Sequence, residues 1–261
     1  MLKPIHFLPC CFLLFNFQVK AQILKQPIPD KLVVLSFDDA VKSHYTNVAP
    51  LLKKYKFGAT FFVCEFVTPP FSDTTKYMTW QQIGELSKMG FEIGNHTYHH
   101  THVTKMKAPQ MTDELSYIEG KCQEQNVKNK LISFAYPGYD TASRALPVLK
   151  EKGYLFARAG WSRVYDPLKD HPYLLPSFST SGTDTAKVLS YIRQATNGKI
   201  VILTIHGVPD DAHPPVTTPL DLFEIYLKYL HDNHYKVISI SDLGKYVNVE
   251  KIINGEVTLE Q

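Results

Sequence analysis

Short runs of β-branched and aromatic residues alternate along this chain with stretches whose apolar positions recur at helical spacing. Residues 32–37 (LVVLSF), 59–63 (ATFFV), 91–94 (FEIG), 131–135 (LISFA), 154–157 (YLFA), 199–205 (KIVILTI) and 235–240 (YKVISI) read as strands. Residues 48–55, 79–89, 109–125, 143–152, 183–196 and 219–233 read as helices, with Thr79 and Thr183 as N-caps and Gly90 and Gly153 as C-caps. Strands that are apolar almost throughout, separated by helices, predict a parallel sheet covered by helices. Seven such units without a linker predict a single α/β domain. A closed or partly closed barrel fits them better than two domains, and the pattern alone leaves an open doubly wound sheet as the alternative. Two stretches break the alternation and read as long loops: 162–182, with Pro167, Pro172 and Pro176, and 207–219, with four prolines. Such loops either shape a substrate groove or pack on the surface.

The first 21 residues stand outside this pattern. Lys3, an apolar run from Phe7 to Phe17 and the small residues of Val19-Lys20-Ala21 read as a secretory signal peptide cleaved after Ala21. The run is well short of the roughly 20 residues a membrane span needs, and nothing later resembles a transmembrane helix. Residues 22–261 are therefore expected to be one exported domain, periplasmic or extracellular, with no stable membrane span. At 44% hydrophobic, the 261 residues suffice for one barrel rather than a disordered chain. The net charge of +3 falls to +1 once Lys3 and Lys20 leave, and there is no basic run, which argues against a nucleic-acid partner. Cys10 and Cys11 lie in the leader, so Cys64 and Cys122 are left either to form one disulfide or to stay as buried thiols. Oligomeric state is not legible.

Four polar clusters fall at the C-terminal ends of these strands, the face where barrel enzymes place their chemistry. Asp38-Asp39 closes the first strand, and two adjacent carboxylates there are costly unless a metal or a proton-transfer role engages them. His96, His99, His100 and His102 follow the third strand. One helical turn puts His96 and His100 on the same side, and a carboxylate from another strand completes a two-histidine, one-carboxylate site for a catalytic divalent ion. His99 and His102 are expected at the surface or behind the ligands. Tyr136-Pro137-Gly138-Tyr139 enforces a turn able to aim backbone N–H groups at a ligand. His206 ends the strand Leu203-Thr204-Ile205, as a core histidine, a third nitrogen ligand or a general acid.

Asp38-Asp39, His96-Thr97-Tyr98-His99-His100, the Tyr136-Pro137 turn and Leu203-Thr204-Ile205-His206, in this order, resemble the polysaccharide deacetylases with a NodB homology domain (carbohydrate esterase family 4). The resemblance runs from about Leu32 to Leu243. It implies a distorted (β/α)7 barrel and metal-dependent hydrolysis of N- or O-acetyl groups on a glycan. By position it implies Asp39, His96 and His100 as ligands of a divalent metal, usually Zn2+, with Asp38 as general base and His206 as general acid. The backbone N–H of Gly138 would face the oxyanion, and Tyr139 and Trp161 are substrate candidates. The chain also departs from the family. Ala135 stands where an Arg commonly pairs with the base, so Asp38 is expected to lack that partner and the acid limb of the pH–rate profile to move upward; coinciding limbs would mean that another cation such as Arg158 fills the role, or that the limb does not report Asp38. The order Pro137-Gly138-Tyr139 replaces Pro-Tyr-Gly. Of the Asp-x-x-Asp-Trp motif only Trp161 remains, with Ala157 and Gly160 in place of the acids and Arg158, Arg163 or Asp166 as nearby substitutes. Two other functions fit less well: hydrolysis of a non-sugar amide, and a catalytically silent glycan-binding module, against which the intact Asp38 and His206 argue.

Overall fold

The computed structural model describes residues 22–128 and 130–259, and the expected signal segment lies outside them. Eight parallel strands form the sheet: β1 (Leu32–Phe37), β2 (Thr60–Val63), β3 (Glu92–Asn95), β4 (Ser133–Ala135), β5 (Phe156–Trp161), β6 (Leu175–Ser179), β7 (Val201–Ile205) and β8 (Lys236–Ile238). β1 to β7 pair in sequence order, and β7 returns to β1 to close a seven-stranded barrel. The lower half of β1, Leu32 to Val34, pairs with β8, whereas its upper residues Ser36 and Phe37 pair with β2. One edge of β1 is thus shared between two strands, which distorts the barrel. The helices are α1 (Ala49–Tyr55), α2 (Trp80–Lys88), α3 (Ala108–Glu124), α4 (Ala145–Lys152), α5 (Thr185–Ile192), α6 (Leu220–Asp232) and α7 (Val249–Ile253).

Two-residue alternation sorts each strand between two cores. Val33, Leu35 and Phe37 face the outer core, which also holds Leu52, Leu86, Ile118, Leu149 and Leu227 of the helices. Leu32 and Val34 join Phe62, Ala135, Phe156, Leu175 and Ile202 inside the barrel, with Ile23, Val247 and Ile252 closing its floor. The same parity carries Ser36 and Asp38 on β1, Arg158 on β5 and Thr204 and His206 on β7 toward the axis. Within the barrel, Ser36 Oγ donates to the Leu203 carbonyl at 2.8 Å, and Ser177 Oγ meets Thr204 Oγ1 at 2.8 Å.

Thr79 caps α2 as its sequence predicts, in a reciprocal capping box with Gln82. α5 is capped by Asp184 rather than Thr183. Gly153 ends α4 with φ +79°, a left-handed conformation open to glycine. The expected loop 162–182 is corrected: it contains β6. Pro176 and the short LPSFS run hide the strand, yet Leu175, Pro176, Ser177 and Phe178 are all buried between β5 and β7. Cys64 and Cys122 are both buried free thiols. Among the described residues no helix is long and apolar enough to cross a membrane.

Candidate metal centre and active site

Asp38 and Asp39 leave β1 into the barrel mouth, 2% and 4% exposed, Asp39 with φ +76°, and both carboxylates approach His96 Nε2. His96 follows β3, and its Nδ1–H donates to the Ala135 carbonyl at 2.8 Å. That bond fixes the tautomer and leaves the Nε2 lone pair facing the carboxylates. Asn95, fully buried, sets this loop: its amide donates to Leu115 O and Tyr154 Oη, and its Oδ1 accepts from the Thr97 N–H at 2.9 Å. Thr97 and His100 then take positive φ, +64° and +54°, and His100 returns over the same point.

Asp39 Oδ1 lies 3.5 Å from His96 Nε2 and 3.6 Å from His100 Nε2. Donors bound at about 2.1 Å to a tetrahedral ion stand about 3.4 Å apart, close to both of these spacings, and the three ligand atoms lie within 4.8 Å of one another. Asp39 Oδ1 is buried without a hydrogen-bond partner among the described residues, which also fits a site built around a cation. The charges are consistent with this. Burial alone would raise the Asp39 carboxyl, but His96, His206 and His100 hold it well below the ordinary carboxylate range. Burial, with His96 adjoining, pushes His100 down to about 4, keeping its imidazole neutral and able to ligate.

Asp38 does not lack a cation. Arg158, fully buried on β5, reaches across the barrel and its Nη2 donates to Asp38 Oδ1 at 2.7 Å and Oδ2 at 2.5 Å. The guanidinium lies between the rings of Phe62 and Tyr139, at 5.5 Å and 5.3 Å from their centroids. The expectation that Asp38 lacks a cationic partner is therefore corrected: β5 supplies the arginine that the strand before the Tyr136-Pro137 turn does not. Arg163 and Asp166 stay outside, paired with Asp170 and Lys199. A β-bulge between Arg158 and Trp161 re-aims the end of β5, leaving Trp161 half-exposed at the mouth with φ +71°.

His206 ends β7 with Nε2 3.8 Å from Asp39 Oδ2. Its Nδ1 is buried and has no partner among the described residues, in keeping with the missing acids of the fourth motif. Its backbone is held instead: His44, buried in the turn after β1, meets the His206 carbonyl through Nε2 at 2.9 Å. Gly138 is exposed at the rim with φ +60°, and a Cβ there would come within 2.5 Å of His102 Nε2. His99 lies aside, paired with Glu114. Sequence reasoning missed His213. The loop after β7 carries it to the mouth, where Nδ1 is 3.7 Å from Asp39 Oδ2.

A closed β/α barrel with Asp38, Asp39, His96, His100, His206 and His213 gathered at one mouth is the architecture in which barrel enzymes place their chemistry. Residues 25–157, just over half the chain, match the profile of the polysaccharide deacetylase family, and the chain belongs to that family. It is 28% identical over 222 residues to a peptidoglycan-N-acetylglucosamine deacetylase of Bacillus cereus, covering 84% of this chain and 91% of the relative. Its fold is that of a family 4 acetyl xylan esterase from Clostridium thermocellum solved with a cobalt ion (TM-score 0.57, 21% identity, 82% of this chain and 90% of that one). It is also that of a family 4 pseudoenzyme from Bacillus anthracis (TM-score 0.57, 16% identity, 83% and 66%).

Proposed function

We propose that this chain is an exported, metal-dependent hydrolase that removes acetyl groups from a glycan, with residues 1–21 as its signal peptide and residues 22–261 as the mature domain. One observation carries the reading: a buried, unpartnered Asp39 Oδ1 faces two imidazole nitrogens at ligand spacing, beside an arginine-held Asp38 and His206. Asp39, His96 and His100 would hold the ion, and a nitrogen and oxygen donor set with open positions favours Zn2+. When bound, it supplies Lewis-acid polarisation of the acetyl carbonyl and makes the attacking water more acidic.

The chain's own groups do the rest. Asp38 accepts the proton of the attacking water while Arg158 fixes its carboxylate orientation. The Gly138 N–H, on the exposed rim, faces the negative charge developing on the acetyl oxygen. His206 gives a proton to the departing amine or alkoxide. Trp161 offers the sugar a flat apolar face, and Tyr139 backs the pocket against Arg158. The Bacillus cereus relative supports an N-acetylated envelope glycan as substrate, the esterase an O-acetylated one.

Acetate release from peptidoglycan, poly-N-acetylglucosamine and acetylated xylan, measured beside bound metal, tests the reading. Asp39→Asn should lose most metal. Asp38→Asn and His206→Ala should keep it and slow hydrolysis by about 10²–10⁴-fold. Acetate from none of the glycans by metal-loaded protein would leave the non-sugar amide or the silent binding module. The mature N-terminus of the exported protein, expected at Gln22, checks the export half.

A further inference from the structure

His213 has no role in the family's motifs, yet it is more firmly built into the site than a surface loop requires. Asp210, 2% exposed, organises the loop after β7: its carboxylate accepts from the N–H groups of Gly207, Ala212 and His213, at 3.0, 3.0 and 2.6 Å. A Cβ on Gly207 would sit 2.4 Å from the Asp210 Cα, so this close turn demands glycine. The loop is tied to the segment after β1, where Ser43 Oγ accepts from the Val208 N–H at 2.7 Å and Asn47 donates to the Val208 carbonyl at 2.8 Å.

The ring it presents has two distinct nitrogens. Nε2 meets the buried Tyr77 hydroxyl at 3.1 Å, and Nδ1 faces two carboxylates, Asp210 Oδ1 at 3.5 Å and Asp39 Oδ2 at 3.7 Å. A nitrogen between two carboxylate oxygens carries the proton, so Tyr77 donates to Nε2 and Nδ1–H faces both Asp210 Oδ1 and Asp39 Oδ2, bonded to neither. At 3.5 and 3.7 Å these are close contacts rather than hydrogen bonds; Asp210 already accepts from three backbone N–H groups, whereas the gap to Asp39 Oδ2 is closed by a shift of about 0.5 Å. Phe66 packs on both His213 and His100, with centroids 4.6 and 4.9 Å away, so the brace and a ligand share one apolar wall.

We infer that His213 is a positioning residue that holds the outer oxygen of Asp39 through Nδ1–H, so that Oδ1 is presented to the ion between His96 and His100. The inference rests on the metal site proposed above. Partners behind metal ligands contribute about 10–100-fold in affinity, because an unheld carboxylate must be ordered at the moment of binding.

The two ring nitrogens permit a sharp test. Asparagine places its amide NH2 near the position of Nδ1, whereas glutamine reaches toward that of Nε2. Zn2+ and Co2+ affinities of the mature protein are measured by competition with a chromophoric chelator for wild type, His213→Asn, His213→Gln and Tyr77→Phe, with folding checked by circular dichroism. His213→Gln should bind about 10–100-fold more weakly, with a changed Co2+ visible spectrum, and His213→Asn should stay within a few-fold of wild type. Tyr77→Phe, which frees the tautomer, should fall between them. Equal affinity for wild type and His213→Gln overturns the inference, as does equal weakening by both substitutions, which would mark a packing role. Failure of wild type to bind either metal instead overturns the metal site itself.

Discussion

At the scale of single residues, the pairing of Arg158 with Asp38 dominates the energetics of the mouth. Both side chains are buried, so removing one leaves the other charged and unsolvated. Arg158→Met should cost about 3–5 kcal/mol of stability in urea unfolding. Combining it with Asp38→Asn should cost less than the sum of the two, because the stranded charge is gone. An additive double variant would mean that Asp38 finds another partner once Arg158 is lost. Strain is concentrated here as well: Asp39, Thr97, His100, Tyr139 and Trp161 all hold positive φ. Side chains tolerate that conformation only where the surroundings fix it. Around Thr97, a β-branched residue, the fixing is visible: Asn95 takes its N–H, and its own Oγ1 accepts from Thr101 N–H at 3.1 Å.

At the scale of elements, Glu92 at the foot of β3 joins four segments. Its carboxylate accepts from Thr60 Oγ1 on β2 at 2.6 Å, Ser133 Oγ on β4 at 2.5 Å and Ser241 N beyond β8 at 2.9 Å. It borders a cavity of about 460 Å3 at the pole opposite the candidate site. Glu92→Leu should lower stability by about 1–3 kcal/mol while leaving metal affinity unchanged. Burial pushes this carboxyl above its ordinary value, against the pull of its three donors. A raised value makes its contribution complete below the unfolded pKa, near 4.5, and lost as pH rises through the folded one. The stability difference between wild type and Glu92→Gln should therefore shrink with rising pH across that interval; a pH-independent difference would place the carboxyl at its unfolded value. What the sequence disclosed follows the elements. Asp38, Asp39, His96, His100 and His206 were legible because polar residues ending apolar strands have one mouth to converge on. Arg158 was legible only as one nearby candidate, because it sits inside the β5 run and its inward aim depends on strand parity. β6 was hidden by Pro176. His213 is brought in by a loop whose path is set by Asp210 and Ser43, and no periodicity encodes that.

At the scale of the whole molecule, the barrel is closed by its first strand. β1 must wait for β7, so Val33 meets Val201 only when nearly all of the chain is available. The residues of the mouth do not wait equally long. Asp39, His96 and His100 come from β1 and β3, which β2 joins directly, whereas Arg158 reaches Asp38, and His206 enters the mouth, only after β5 and β7 have arrived. The proposed ion-holding half of the centre can therefore assemble early and the proposed proton-handling half late. During refolding with Co2+, the visible spectrum of the bound ion should precede the first release of acetate; simultaneous onset would mean that all seven strands close in one step. Such an order would give the chain a built-in delay, in which a partly wound barrel already presents the three candidate ligands but not yet the groups proposed to move protons.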